Sequence, residues 1–143
     1  MIPAGRNWLR REGARPEALQ RLRSLSPVDL PEAYYQLMAF SNGGEGPISK
    51  QPYYFQLDPV EWASEALHRG LEDEFFPGFI IFGSNGGGEY IAFDVRGPPP
   101  WPIVALDMTN ATLEESLLPI ASNFDEFLDL VGVESAADGK VDA

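Results

Sequence analysis

Glu45 and Glu89 each end a glycine-rich stretch, SNGG before the first and SNGGG before the second. Two carboxylates held close together can divide into a proton donor and a proton acceptor, as in glycosidases. A hydrolase or small-ligand binder built on this chain would therefore gather Glu45 and Glu89 into one pocket with the aromatic residues Trp62, Phe75, Phe76 and Trp101. Apart, a glutamate at a strand end is a turn acceptor or a solvated charge. His68 is the only histidine and there is no cysteine, so a metal site would have to be built from carboxylates alone; a lone histidine reads as a surface or packed residue. Gly83-Ser84-Asn85-Gly86 lacks the G-x-S-x-G spacing of a nucleophile elbow and precedes a strand rather than a helix. It also lacks the Lys-Ser/Thr ending of a phosphate loop. No catalytic residue, metal or cofactor is expected. A different chemistry is offered by Glu72-Asp73-Glu74 beside Phe75-Phe76, an acidic rim against aromatic anchors, which is the composition of an interface hot spot. Trp101, in a proline-rich loop, offers a second anchor, whereas core packing is the plainer reading of the remaining aromatic residues.

The balance of charge narrows the partner. The formal net charge is −12, and it is uneven: the first thirty residues hold six Arg and three acids, leaving −15 over residues 31–143. Direct contact with nucleic acid needs a basic face, so it is disfavoured, while a basic protein partner is favoured. A chain of 143 residues is one domain and can bury a core without disulfides or metal. Absence of cysteine fits a reducing compartment, the N-terminus lacks an apolar signal segment, and no run approaches the length a membrane helix needs. The expectation is a cytoplasmic protein.

The elements that must position these residues are organised around Phe79–Asp94, FIIFGSNGGGEYIAFD. Two apolar runs flank Asn85-Gly86, which predicts antiparallel strands joined by a tight loop. Alternation puts Ile91 and Phe93 toward the core, and Phe79-Ile80-Ile81-Phe82, with no polar face, requires cover on both sides. Upstream, residues 1–13 read as a loosely held arm. One helix starts at Pro16 with Leu19 and Leu22 on a common face and ends before Ser26-Pro27; a second starts at Pro31 with Tyr34, Leu37, Met38 and Ser41 aligned, stopped by Gly43. SNGGEGPI reads as a turn, Tyr53–Leu57 as a strand, and Asp58 as the N-cap of a helix with Val60, Ala63 and Leu67 on its apolar stripe, closed by Gly70. Arg96–Pro100 is a loop, Ile103–Leu106 a strand, and a final helix capped by Ser122 carries Phe124, Phe127, Leu128 and Val131 before Gly132. Residues 14–132 form the domain, and residues 133–143 read as an acidic disordered tail. Strand pairs interrupted by helices imply an α+β fold with a mainly antiparallel sheet flanked by helices.

The order LPxxYYxLMxFSNGGEG, an apolar strand and a helix, FPGFIIFGSNGGGEYIAFD and a terminal SNFDEFLDLVG resembles the SMI1/KNR4, or SUKH, superfamily over Leu30–Gly132. Each piece is degenerate, and the specificity lies in their order. The resemblance implies the same α+β class and a non-catalytic role: bacterial members are immunity proteins that bind and neutralise a cognate toxin, and eukaryotic members are regulatory binding modules. Family-typical positions include the turn residues Asn42, Gly43, Gly44, Glu45, Gly86 and Glu89. A toxin that acts on nucleic acid has a basic cleft, so an acidic blocker would be steered to it, with Glu72, Asp73, Glu74, Phe75, Phe76 and Trp101 as the expected contact residues.

Overall fold

A computed structural model describes residues 2–70, 74–109 and 117–134. Its elements are α1 (Pro16–Leu25), α2 (Glu32–Phe40), β1 (Glu45–Pro47), β2 (Tyr54–Leu57), α3 (Val60–Arg69), β3 (Phe79–Ser84), β4 (Glu89–Asp94), β5 (Ile103–Asp107), β6 (Leu118–Ala121) and α4 (Phe124–Leu130). The six strands make one sheet in the order β1-β2-β3-β4-β5-β6, antiparallel at every step. With four helices among the described residues, this is a single α+β domain.

The hairpin of β3 and β4 sits at the middle of that meander. Its loop closes through one side chain: Asn85 Oδ1 accepts from the N–H groups of Gly87 (2.9 Å) and Glu89 (3.1 Å), and the Asn85 N–H donates to Glu89 O (3.0 Å). Gly86 takes a φ of +76°, which a residue with a Cβ adopts at a cost. A β-bulge interrupts the pairing, because Ile81 faces Ala92 while Gly83 faces Ile91, leaving Phe82 as the extra residue. The bulge places Phe82 in the core and brings the next residue hard against β2; a Cβ at position 83 would lie 2.6 Å from a Phe55 ring carbon.

Both faces of the sheet are apolar, as the run at 79–82 requires. On the main face Ile80, Phe82, Ile91 and Phe93 pack with Tyr34, Leu37 and Met38 of α2 and with Phe124 and Phe127 of α4. On the other face Phe79, Ala92, Val104 and Leu106 form a smaller cluster with Phe76. Helices α2 and α4 pack on the main face; on the second face Ile81 and Tyr90 are half-buried at the margin of the smaller cluster.

Several local expectations need correction. SNGGEGPI is not only a turn, because Glu45–Pro47 pairs with Tyr54–Gln56 as an edge strand. A second edge strand, β6, went unforeseen since Pro119 breaks its pattern; an edge position tolerates the missing N–H. The last helix is capped by Asn123 rather than Ser122. Asn123 Oδ1 accepts from the Glu126 N–H (2.8 Å), and Ser122 Oγ instead donates to the Glu126 carboxylate (2.6 Å). Residues 2–13 are tied down rather than loose. Leu9 and Glu45 exchange backbone hydrogen bonds of 2.8 and 3.4 Å, the Asn7 N–H donates to Gly132 O (2.9 Å), and Arg6 Nη1 donates to Val131 O (2.6 Å). Trp8 lies on Phe55 at 5.8 Å and its indole N–H donates to Ser41 Oγ (3.2 Å). The tail expectation from residue 135 onward lies outside the described residues.

Candidate functional site

A short strand leaves a depression in the surface. β2 pairs with β3 only at Gln56–Ser84 and Leu57–Gly83, so the first half of β3 has no strand beside it on that side. The chain leaves the sheet at Asp58, whose N–H donates to Phe82 O (3.0 Å), and turns through Pro59 into α3. Between α3, the segment around Phe75 and the second face of the sheet lies a cleft of about 470 Å³. Ala63 and Ala66 of α3 form one wall, Phe76, Ile81 and Tyr90 form the floor, and Met108 and Thr109 close the far end. Trp62 and Phe75 stand at its rim, 69% and 53% exposed. Large aromatic side chains left open to solvent on either side of an apolar depression are unusual on a surface that serves no partner.

Asn42 fixes the orientation of that wall. Its Oδ1 accepts the Val60 N–H at 2.7 Å, and its Nδ2 donates to the Glu61 carboxylate at 3.1 Å. The cap of α3 is therefore supplied from another element, not by the neighbouring Asp58, and no side chain in the local sequence caps the helix. Asn42→Ala is expected to cost about 1 kcal/mol and to raise amide exchange over the first turn of α3. An unchanged denaturation midpoint with unchanged exchange would show that Pro59 alone sets the helix start.

Freed of the capping role, Asp58 is the one carboxylate that lines the cleft among the described residues. Among the described residues its carboxyl oxygens have no hydrogen-bond or ion-pair partner. Burial pushes its pKa up from the ordinary carboxylate value to about 6. A second depression of about 520 Å³ lies on the other side of Asp58 and Trp62, bordered by Arg11, Glu12, Asn42, Glu45 and Gln56. Arg11 makes no ion pair with Asp58.

The pair from which acid–base chemistry was drawn is not assembled. Glu45 Oε1 accepts from Tyr54 Oη (2.6 Å), and Glu89 Oε1 accepts from Asn85 Nδ2 (3.2 Å). The register runs Glu45–Gln56–Ser84–Tyr90, so Glu45 shares a face with Tyr90 and Glu89 points to the other. Three inter-strand spacings separate the two strands, about 14 Å, well beyond the reach of a two-carboxylate mechanism. Among the described residues no three of His, Cys, Asp and Glu gather as metal ligands.

Of the expected contact residues, Phe75 and Glu74 are exposed at the cleft side of α3, and Glu72 and Asp73 lie outside the described residues. Phe76 is buried under the second face, its ring 5.6 Å from that of Tyr90. Trp101 is 8% exposed, packed into the main core, with its indole N–H donating to Gly97 O (3.0 Å). A ring so covered holds the proline loop to the sheet, where exposure was expected. Gly43 and Gly44 take φ values of +98° and +104°, and a Cβ at Gly44 would lie 2.6 Å from Leu9 O, so these family-typical turn residues serve the arm and sheet edge. His68 is exposed on α3. Trp62, expected among the pocket aromatics, does line the cleft, whereas Asp58, read as a helix cap, was missed as a cleft residue. The signal for Trp62 was in the helix period: two residues after Val60 is about 200° around the axis, away from the Val60–Ala63–Leu67 stripe.

Residues 13–130 match the family described as SMI1 / KNR4 family (SUKH-1). No curated protein sequence matches the chain.

Proposed function

The chain belongs to the SMI1 / KNR4 family (SUKH-1), and from that premise we propose that it is a non-catalytic protein-binding module, an immunity-type protein that neutralises a toxin by covering its surface. Membership of the family is consistent with such a role. The observation that carries the reading is the pair of exposed aromatic side chains, Trp62 and Phe75, at the rim of an apolar cleft on an acidic molecule. Aromatic anchors beside a desolvatable pocket are what hot spots are made of, and the negative field supplies steering toward a basic partner. Glu61, Glu65 and Glu74 are exposed near those anchors. No helix among the described residues is long and apolar enough to cross a membrane.

The test is co-purification with the product of a neighbouring reading frame, since an immunity protein is expected beside its toxin, followed by binding kinetics. Trp62→Ala and Phe75→Ala should each weaken the complex by about 2 kcal/mol or more, chiefly through faster dissociation. Charge reversal at Glu72, Asp73 and Glu74 should slow association and flatten its salt dependence. A complex indifferent to all of these substitutions would place the interface elsewhere, and the absence of any partner from the neighbouring frames would remove the immunity reading.

A further inference from the structure

Asp58 lines a cleft whose walls are apolar and aromatic apart from Thr109, and among the described residues it reaches that cleft without a partner. A carboxylate left alone under apolar walls is costly, and filling the cleft with a purely apolar group would make it more so. The stretches outside the described residues that adjoin the cleft residues in sequence do not carry the missing charge. Residues 71–73 and 110–116 contain Glu72, Asp73, Glu114 and Glu115 and no Lys or Arg. Arg11 shares the neighbouring depression with Asp58 but makes no ion pair with it, and the other ionisable groups around the two depressions are Glu12, Glu45 and Tyr90. Among the described residues none pairs with Asp58, and a second molecule can supply the counter-charge.

We propose that the cleft receives one arginine side chain of a protein partner, its guanidinium set against the Asp58 carboxylate and its aliphatic stem and planar head covered by Trp62, Phe75 and Tyr90. This deepens the binding-module reading and rests on it for the partner being a protein. Arginine suits the site better than lysine for three reasons. Its head is planar and stacks on aromatic rings, it is more weakly hydrated, and it can pair with a carboxylate through two parallel N–H donors. The stem of an arginine buries against apolar surface while the head keeps its charge, which matches a cleft with one carboxylate among carbon-lined walls.

The probe is N-acetyl-arginine N-methylamide, titrated into the ¹⁵N-labelled protein at constant ionic strength, with the uncharged isostere N-acetyl-citrulline N-methylamide as its control. The arginine compound should shift the Trp62 indole signal and the amides of Ala63, Ala66 and Tyr90 saturably. Citrulline should bind at least about ten-fold more weakly, and so should the arginine compound to Asp58→Asn. Trp62→Ala removes an exposed wall residue without touching the core and should weaken binding several-fold, which guards against any folding defect in the Asp58 variant. Equal binding of citrulline, or equal binding to Asp58→Asn, overturns the proposal, as do shifts that map away from the cleft. With a protein partner in hand, binding lost in Trp62→Ala and Phe75→Ala but unchanged in Asp58→Asn overturns the arginine site and leaves the binding module standing. Asp58-dependent binding of the arginine compound with no protein partner found supports the site and removes the module.

Discussion

Phe82→Ala should bring the protein to the edge of unfolding at 25 °C. Phe82 is fully buried, and its ring lies 5.8 Å from Tyr34, 5.7 Å from Phe55, 4.7 Å from Phe93, 5.7 Å from Phe124 and 5.6 Å from Phe127. It is the ring at which β2, β3, β4, α2 and α4 meet. Truncating a buried Phe costs about 3–5 kcal/mol, and the loss of several edge-to-face pairs places this residue at the upper end. A domain of this size has about 5–15 kcal/mol in all. The bulge sharpens the effect, because Phe82 is the extra residue in β3 and no neighbour on its own strand can turn in to fill the space. Chemical denaturation followed by both circular dichroism and tryptophan fluorescence checks this. A loss below about 1.5 kcal/mol would mean that the aromatic cluster repacks.

Asp58→Asn works in the opposite direction and depends on pH. The folded protein holds the Asp58 proton up to about pH 6, whereas the ordinary value is 3.8. With the folded pKa above the unfolded one, the stability that this carboxyl contributes is fully present below about pH 4 and is lost as the pH rises through 6. At pH 7.5 the wild type therefore carries a half-buried charge that the asparagine variant lacks, and the variant should be the more stable by about 2 kcal/mol. The advantage should shrink as the pH falls through 6 and vanish near 4. Asp94, whose pKa is held down by its hydrogen bonds with Arg96, has the reverse dependence, but it is common to both proteins and cancels in the difference. Urea midpoints at several pH values measure the effect. A wild type more stable than the variant at pH 7.5 would show that Asp58 has a stabilising partner in the free protein.

The parts of the fold that were legible in the sequence are those whose signals are local. The β3–β4 hairpin announced itself by two apolar runs around Asn85-Gly86, α2 by the spacing of Tyr34, Leu37, Met38 and Ser41, and the end of α3 by Gly70, which takes a φ of +70°. Parts decided by distant neighbours were not legible. Asn42 caps a helix 18 residues away, an interaction that no local motif encodes, and the obvious cap, Asp58, was thereby left in the cleft. β1 and β6 are edge strands of three and four residues containing Pro47 and Pro119, too short and too interrupted to show a period. The proline loop misled in the other direction, since exposure was inferred for Trp101 from its neighbours' composition, while the ring folds back onto the core. For the site, the Phe75 segment was legible from its composition, and the cleft beside it was not, because a cavity left where β2 stops short depends on the pairing of two strands.

The clasp between the first residues and the last helix sets an order in time. The six strands pair with their immediate successors, so the sheet can be laid down strand by strand as the chain emerges from the ribosome. Arg6 and Asn7 must wait, for their partners are Leu128, Val131 and Gly132. At the usual pace of synthesis the delay is roughly 6–25 s, and throughout it Trp8 lacks the support that the clasp gives the arm against β1 and α2. The newborn protein is thus expected to carry a nearly complete sheet with an open seam, and the last turn of α4 is the piece whose arrival shuts it.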